Sequence, residues 1–140
     1  MAKKKKKTKA EIITIGKRKR AIARAVIKKG KGLLRINGKP LETWNETSRM
    51  RIQEALVLAG DLPQKVDIYV TVKGGGIMGQ TDAVRQAIAT ALNEFSDGKL
   101  REKYLSYDRT LLVADSRRTE PHKPSRSKAG PRRHKQRSKR

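Results

Sequence analysis

The chain contains no cysteine, only five aromatic residues among 140, and almost no acid toward either end. The missing cysteine excludes disulfides and thiolate metal sites, and fits a reducing compartment. The scarcity of Trp, Tyr and Phe leaves little material for stacking on single-stranded bases. Long apolar runs are absent too. The longest stretches without a charged residue are eight long, 74–81 and 86–93, against the ~20 that cross a bilayer, so no membrane partner is expected. The opening MAKKKKK imitates the charged region of a secretory signal, but Lys9 and Glu11 interrupt the apolar stretch such a signal needs, and secretion is not expected.

What is present is positive charge. The formal net charge is +23 and the isoelectric point is near 11. It is unevenly placed: residues 1–41 carry +15, residues 42–116 carry −2 and residues 117–140 carry +10. A near-neutral middle wears two cationic ends, and a polyanionic partner is the leading explanation. The chain is long enough for one domain of ordinary size. The expected organisation is a disordered lysine-rich extension over 1–11, a globular RNA-binding domain over 12–116 and an extended basic tail over 117–140, which could span ~80 Å at full stretch.

Periodicity supplies the elements. From Gly16, alternation places Ala21, Ala23, Ala25 and Ile27 on one face of a strand. Gly30 and Gly32 then turn into LLRIN, and the two strands are expected to pair as a hairpin with a cationic outer face. Thr47 or Ser48 is the expected cap of a helix ended by Gly60 and Pro63. In VDIYVTVK, Val66, Ile68, Val70 and Val72 alternate with polar residues, the pattern of a half-buried strand. Val84, Ile88, Ala91, Leu92 and Phe95 mark an amphipathic helix with Arg85 and Gln86 on its far side. A short helix over about 99–107 and a last apolar strand, LLVA at 111–114, complete the order. It predicts an α/β (α+β) two-layer sandwich, a mixed four-stranded sheet with helices on one face.

The stretch VKGGGIMGQ, 72–80, carries Gly74, Gly76 and Gly79 in the spacing G-x-G-x-x-G, and Gly74 with Gly79 in the spacing of a P-loop. Gln80 stands where a P-loop needs lysine, leaving only the Thr81 hydroxyl of the pair that neutralises phosphate and ligates magnesium. The dinucleotide fingerprint belongs at the start of parallel βαβ units, which this late strand does not open. A loop without Cβ atoms ahead of a helix N-terminus still suits a phosphate in any molecule. With Lys73 beside it, an RNA backbone phosphate is favoured, contacted through Lys73, Gly74, Gly75, Gly76, Gly79 and Gln80. The plainer reading, that the glycines permit a tight strand-to-helix crossing or a close backbone approach, is compatible with it.

Residues 12–41 hold ten basic residues and no acidic one. A lysine-rich strand edge discourages aggregation, yet that density favours phosphate contact by Lys17, Arg18, Lys19, Arg20 and Arg24. The tail offers Arg117, Arg118, Lys123, Arg126, Lys128, Arg132, Arg133, Lys135 and Arg137, whose binding to RNA releases condensed counterions. His122 and His134 have no cysteine partners and form no expected metal site. No serine–histidine–acid or paired-carboxylate arrangement stands out, so neither catalyst nor cofactor is nominated. A nucleotide-dependent enzyme on the glycine loop and a free nucleic-acid chaperone are the competing readings.

GKRKRAIARA (16–25), VKGGGIMGQ (72–80), YDRTLLVADSRRTEPHKP (107–124) and the terminal Ser138-Lys139-Arg140 together resemble the universal small-subunit ribosomal protein nine family in its archaeal or eukaryotic-like form. The resemblance implies a body like the second domain of ribosomal protein five, with a left-handed crossover. It also implies a place in the head of the small subunit among ribosomal RNA and neighbouring ribosomal proteins. The tail would thread toward the peptidyl-site transfer RNA, where Lys139 and Arg140 would approach anticodon-loop phosphates. The lysine run at 3–7 is an extension to which no family role carries over.

Overall fold

Alternation of small and branched residues with polar ones decides the strands. In the computed structural model, which describes residues 11–119, β1 (Ile12–Arg18) and β2 (Ala21–Lys29) pair antiparallel with Arg18 opposite Ala21. The chain reverses at once through Lys19, whose φ is 54°. The basic cluster is therefore the turn of a hairpin rather than the start of one strand, and the inward alanines of β2 all reach the core. β3 (Leu34–Ile36) does not pair with β2, as the expected hairpin required. It lies parallel to β5 (Val66–Lys73), and β5 pairs antiparallel with β2.

The reason is on β2 and β5 themselves. Their long alternating faces match over eight residue pairs, burying far more than the three residues of β3 could. Between β3 and β4 (Lys39–Pro40), Asn37 and Gly38 take φ of 52° and 78°, the positive values a tight two-residue turn demands. The Asn37 side chain extends the sheet, accepting from the Val72 amide at 2.9 Å and donating to its carbonyl at 3.3 Å. The sheet thus has five strands in the order β1-β2-β5-β3-β4, not four. LLVA forms no strand: a 3₁₀ turn over Arg109–Leu111, capped by the Asp108 carboxylate on the Thr110 amide, sends Leu111 into the core.

α1 (Glu46–Leu58) is capped by Asn45, whose side chain accepts from the Ser48 amide at 2.9 Å. Neither Thr47 nor Ser48 does this; Ser48 is buried, its hydroxyl 2.8 Å from that of Thr81. α2 (Ile77–Phe95) lies across β1, β2 and β5, and α1 packs against α2. α3 (Arg101–Tyr107) comes next, and its Tyr104 hydroxyl donates to the Ala55 carbonyl at 2.8 Å, satisfying an orphan acceptor at the end of α1. Helices cover one sheet face, giving two layers of mixed α and β structure.

β1 approaches α2 so closely that a Cβ on Gly16 would lie 2.0 Å from the Ala83 carbonyl oxygen and 2.7 Å from the Ala87 nitrogen. Thr14 clasps the same turn, its hydroxyl donating to the Ala87 carbonyl at 2.8 Å. Because α2 is packed on two sides, Arg85 and Gln86 are buried rather than exposed on a far face.

Candidate nucleic-acid interface

Three basic segments far apart in sequence meet at one end of the sheet. The first is the β1–β2 turn, Lys17 to Arg20. The second is the glycine loop joining β5 to α2. Gly74 and Gly75 take φ of 78° and 68°, and a Cβ on Gly74 would stand 2.6 Å from the Arg20 carbonyl oxygen. One on Gly75 would stand 3.0 Å from the Ala21 nitrogen. Both glycines are thus required by left-handed backbone and by the turn packed against it. The third segment is the chain at Arg118, whose guanidinium donates to the Lys19 carbonyl at 3.1 Å.

Gly76 is different. It precedes α2 with φ −98°, and nothing lies within 4 Å of where its Cβ would be. Gly76, Ile77 and Met78 are exposed and the first turn of α2 has no side-chain cap, an arrangement that favours an anion. Gln80 reaches back across the loop, its amide donating to the Gly74 carbonyl at 3.2 Å. Thr81 turns away: its hydroxyl donates to the Ile77 carbonyl at 2.8 Å and faces Ser48 in the core. Neither group of a P-loop's cation and magnesium pair is offered to a ligand, which removes the physical basis for a nucleotide site.

Beside the loop, Arg20, Ile22, Arg24, Thr71, Lys73 and Gly74 line a shallow depression of about 570 Å³. Among the described residues, no carboxylate pairs with Lys17, Lys19, Arg20, Arg24 or Lys73. Arg18 and Arg117, which the sequence places with them, are already engaged. Arg18 meets Asp115 and lies 3.8 Å from Asp82, while Arg117 pairs with Asp115 at 2.9 Å. Their charge is partly neutralised within the chain. Lys123, Arg126, Lys128, Arg132, Arg133, Lys135, Arg137, Lys139 and Arg140 lie outside the described residues, as do the lysines of 1–10.

Sequence reasoning missed the cleft behind this surface, about 460 Å³ between α1, α2 and the segment 107–117. Arg85 sits at its base with Glu54 at 2.7 Å and Asp108 at 3.0 Å. Its buried Nε has no hydrogen-bond partner. Gln86 accepts from the Lys17 amide at 2.9 Å. Burial opposes ionisation of Asp108, but the Thr110 amide and hydroxyl and the Arg85 guanidinium outweigh it and hold the carboxyl below the usual range. Cations and carboxylates alternate around this cleft, so it reads as an ion-pair network rooting the C-terminal segment, not as an anion site. One position separates Arg85 from the inward Val84, and only the packing of α1 and the segment at Asp108 against α2 distinguishes the two.

Among the described residues no group of histidines and acids could hold a metal ion. No described helix is long and apolar enough to cross a membrane. The model of a family described as Ribosomal protein S9/S16 matches residues 16–140. A protein of Methanococcus maripaludis (strain C7) named small ribosomal subunit protein uS9 is 54% identical over 128 residues, covering 89% of this chain and 95% of the relative. A protein of the same name from Methanococcus vannielii is 52% identical with the same coverage.

Proposed function

The chain belongs to the ribosomal protein S9/S16 family, of archaeal type and structural rather than enzymatic, and on that footing we propose how it works in the small ribosomal subunit. It is a structural constituent, bound to cytoplasmic ribosomes, whose body anchors in the ribosomal RNA of the subunit head beside neighbouring ribosomal proteins. Its segment 117–140 runs on toward the peptidyl-site transfer RNA. Lys139 and Arg140 neutralise phosphates of the anticodon loop, and the tail cations before them hold ribosomal RNA along the way.

One observation carries the reading: Arg20, Arg24 and Lys73, unpaired by any described carboxylate, gather around the open glycine loop where the root of the tail is also held. Backbone phosphates suit this surface because point charges and free amides read charge and shape rather than sequence. The test is a salt titration of binding to head-domain ribosomal RNA. Replacing Arg20, Arg24 and Lys73 with alanine is expected to flatten the log–log salt slope by about 2, at ~0.7 for each phosphate no longer neutralised. An unchanged slope refutes the assignment. Deleting 138–140 tests the tail separately: incorporation into subunits is expected to persist while transfer RNA retention at the peptidyl site falls, and unchanged retention overturns the role.

A further inference from the structure

Among the described residues nothing covers the sheet face opposite the helices, and the side chains on it sort by kind. In register across the sheet, Ile13 faces Val26 and Val26 faces Tyr69; the next rows bring Ile15 beside Arg24, and Ile22 between Lys17 and Lys73. Ile13 is 61% exposed, and Ile15 and Ile22 are each 50% exposed. Isolated exposed isoleucines need no explanation, but a contiguous group on adjacent strands marks a surface meant to be covered.

Among the described residues the edge beside them is open at Ile13 and Ile15. Among the described residues β1 has one strand neighbour, β2. The Lys17 amide bonds to the Gln86 side chain, so it faces away from β2. In an antiparallel ladder that direction repeats every second residue, which aims the backbone amides and carbonyls of Ile13 and Ile15 outward too. The opposite edge is blunted: β4 is two residues long and ends in Pro40. β1 is seven residues long and has neither a proline nor a bulge.

We propose that the β1 edge and the adjoining Ile13–Ile15–Val26 surface are a docking site for an extended segment of a second protein in the same particle, added as a sixth strand. Its alternate residues are aliphatic, to cover the isoleucines, and it carries a carboxylate opposite Lys17. Three other occupants fit less well. RNA has no aliphatic surface to offer, and its phosphates match the other end of the sheet, at Arg20, Lys73 and the glycine loop. A second copy would bring another +23 of like charge. Residues 1–10 contain six lysines and no branched aliphatic residue, and so lack the side chains that would cover isoleucine. Strand addition supplies affinity through main-chain hydrogen bonds and specificity through alternate side chains.

This docking site rests on the small-subunit reading, which co-sedimentation of the chain with small subunits tests by itself. Within subunits purified from cells, Ile15 is replaced by a photoreactive benzoylphenylalanine; the side chain points away from the core, so folding is spared. The expected product is a cross-link to another protein that survives ribonuclease and maps to an extended segment with alternating aliphatic residues. A cross-link to RNA, or none, overturns the proposal. Amide exchange at Ile13 and Ile15 gives a second readout: about a hundredfold slowing is expected in the intact subunit relative to the chain bound to ribosomal RNA alone. Equal rates overturn it.

Discussion

Replacing Gly16 with alanine probes a close backbone contact between β1 and α2. The new methyl carbon would stand 2.0 Å from the Ala83 carbonyl oxygen and 2.7 Å from the Ala87 nitrogen, both backbone atoms of a helix that spans 19 residues. No side chain can swing aside, so β1 and α2 must separate by about 1 Å or more to restore van der Waals distance. Overpacking of this kind costs about 1–3 kcal/mol, and rigid backbone on both sides puts Gly16 at the upper end. Separation also stretches the Thr14 hydroxyl bond to Ala87, worth about 1 kcal/mol. Lower entropy of the unfolded alanine chain returns only about 0.4–1 kcal/mol. The net loss is about 3 kcal/mol, a large part of the ~5–15 kcal/mol that holds a domain folded. At ~4–8 °C per kcal/mol, the melting temperature of the purified chain, followed by far-ultraviolet circular dichroism, is expected to fall by roughly 12–24 °C. Gly76→Ala is the control, since its Cβ meets nothing, and its stability is expected within about 0.5 kcal/mol of the parent. A Gly16→Ala protein as stable as that control would refute the packing argument.

Tyr104→Phe removes the donor to the buried Ala55 carbonyl and is expected to cost about 1–3 kcal/mol in urea unfolding. The carboxyl of Asp67 is held low by the Leu33 and Lys31 amides, and that of Asp108 is held low, against the opposing effect of burial, by Thr110 and Arg85. Both groups therefore stabilise the fold fully above the unfolded value of about 3.9, and that contribution is lost as pH falls through their lower folded values. Acid unfolding should steepen below about pH 4, and Asp108→Asn should flatten it in a pH series of melts. Asp115→Asn frees Arg18 and Arg117; limited proteolysis is expected to cut faster near residue 117, with global stability changed by less than about 1 kcal/mol. Fluorescent ATP or NAD titrated into the chain should show no stoichiometric binding, given Gln80 on the Gly74 carbonyl and Thr81 turned into the core.

Elements with a clean period were legible. The β5 alternation and the α2 stripe through Val84, Ile88 and Leu92 stand in the structure as read, because each buries one face and the pattern records which. The β1–β2 reversal was harder to see, since Lys19 takes a positive φ where neither glycine nor asparagine signals it. The β3–β4 turn did carry a signal, Asn37-Gly38, that the two-residue strand after it was too short to support. LLVA was misread because four apolar residues suit a strand and a buried turn equally well.

Charge distribution, the absence of cysteine and of long apolar runs, and the glycine and tail motifs were properties of the residues alone. They determined the class of partner and the family, since charge and composition survive any folding. Which strands are neighbours, which cations keep their charge free and which are answered by Asp82 or Asp115, and why Gly74 and Gly75 must be glycine were decided only in three dimensions. Those depend mostly on distances between residues thirty or more positions apart, and a local pattern carries no record of what lies across the sheet.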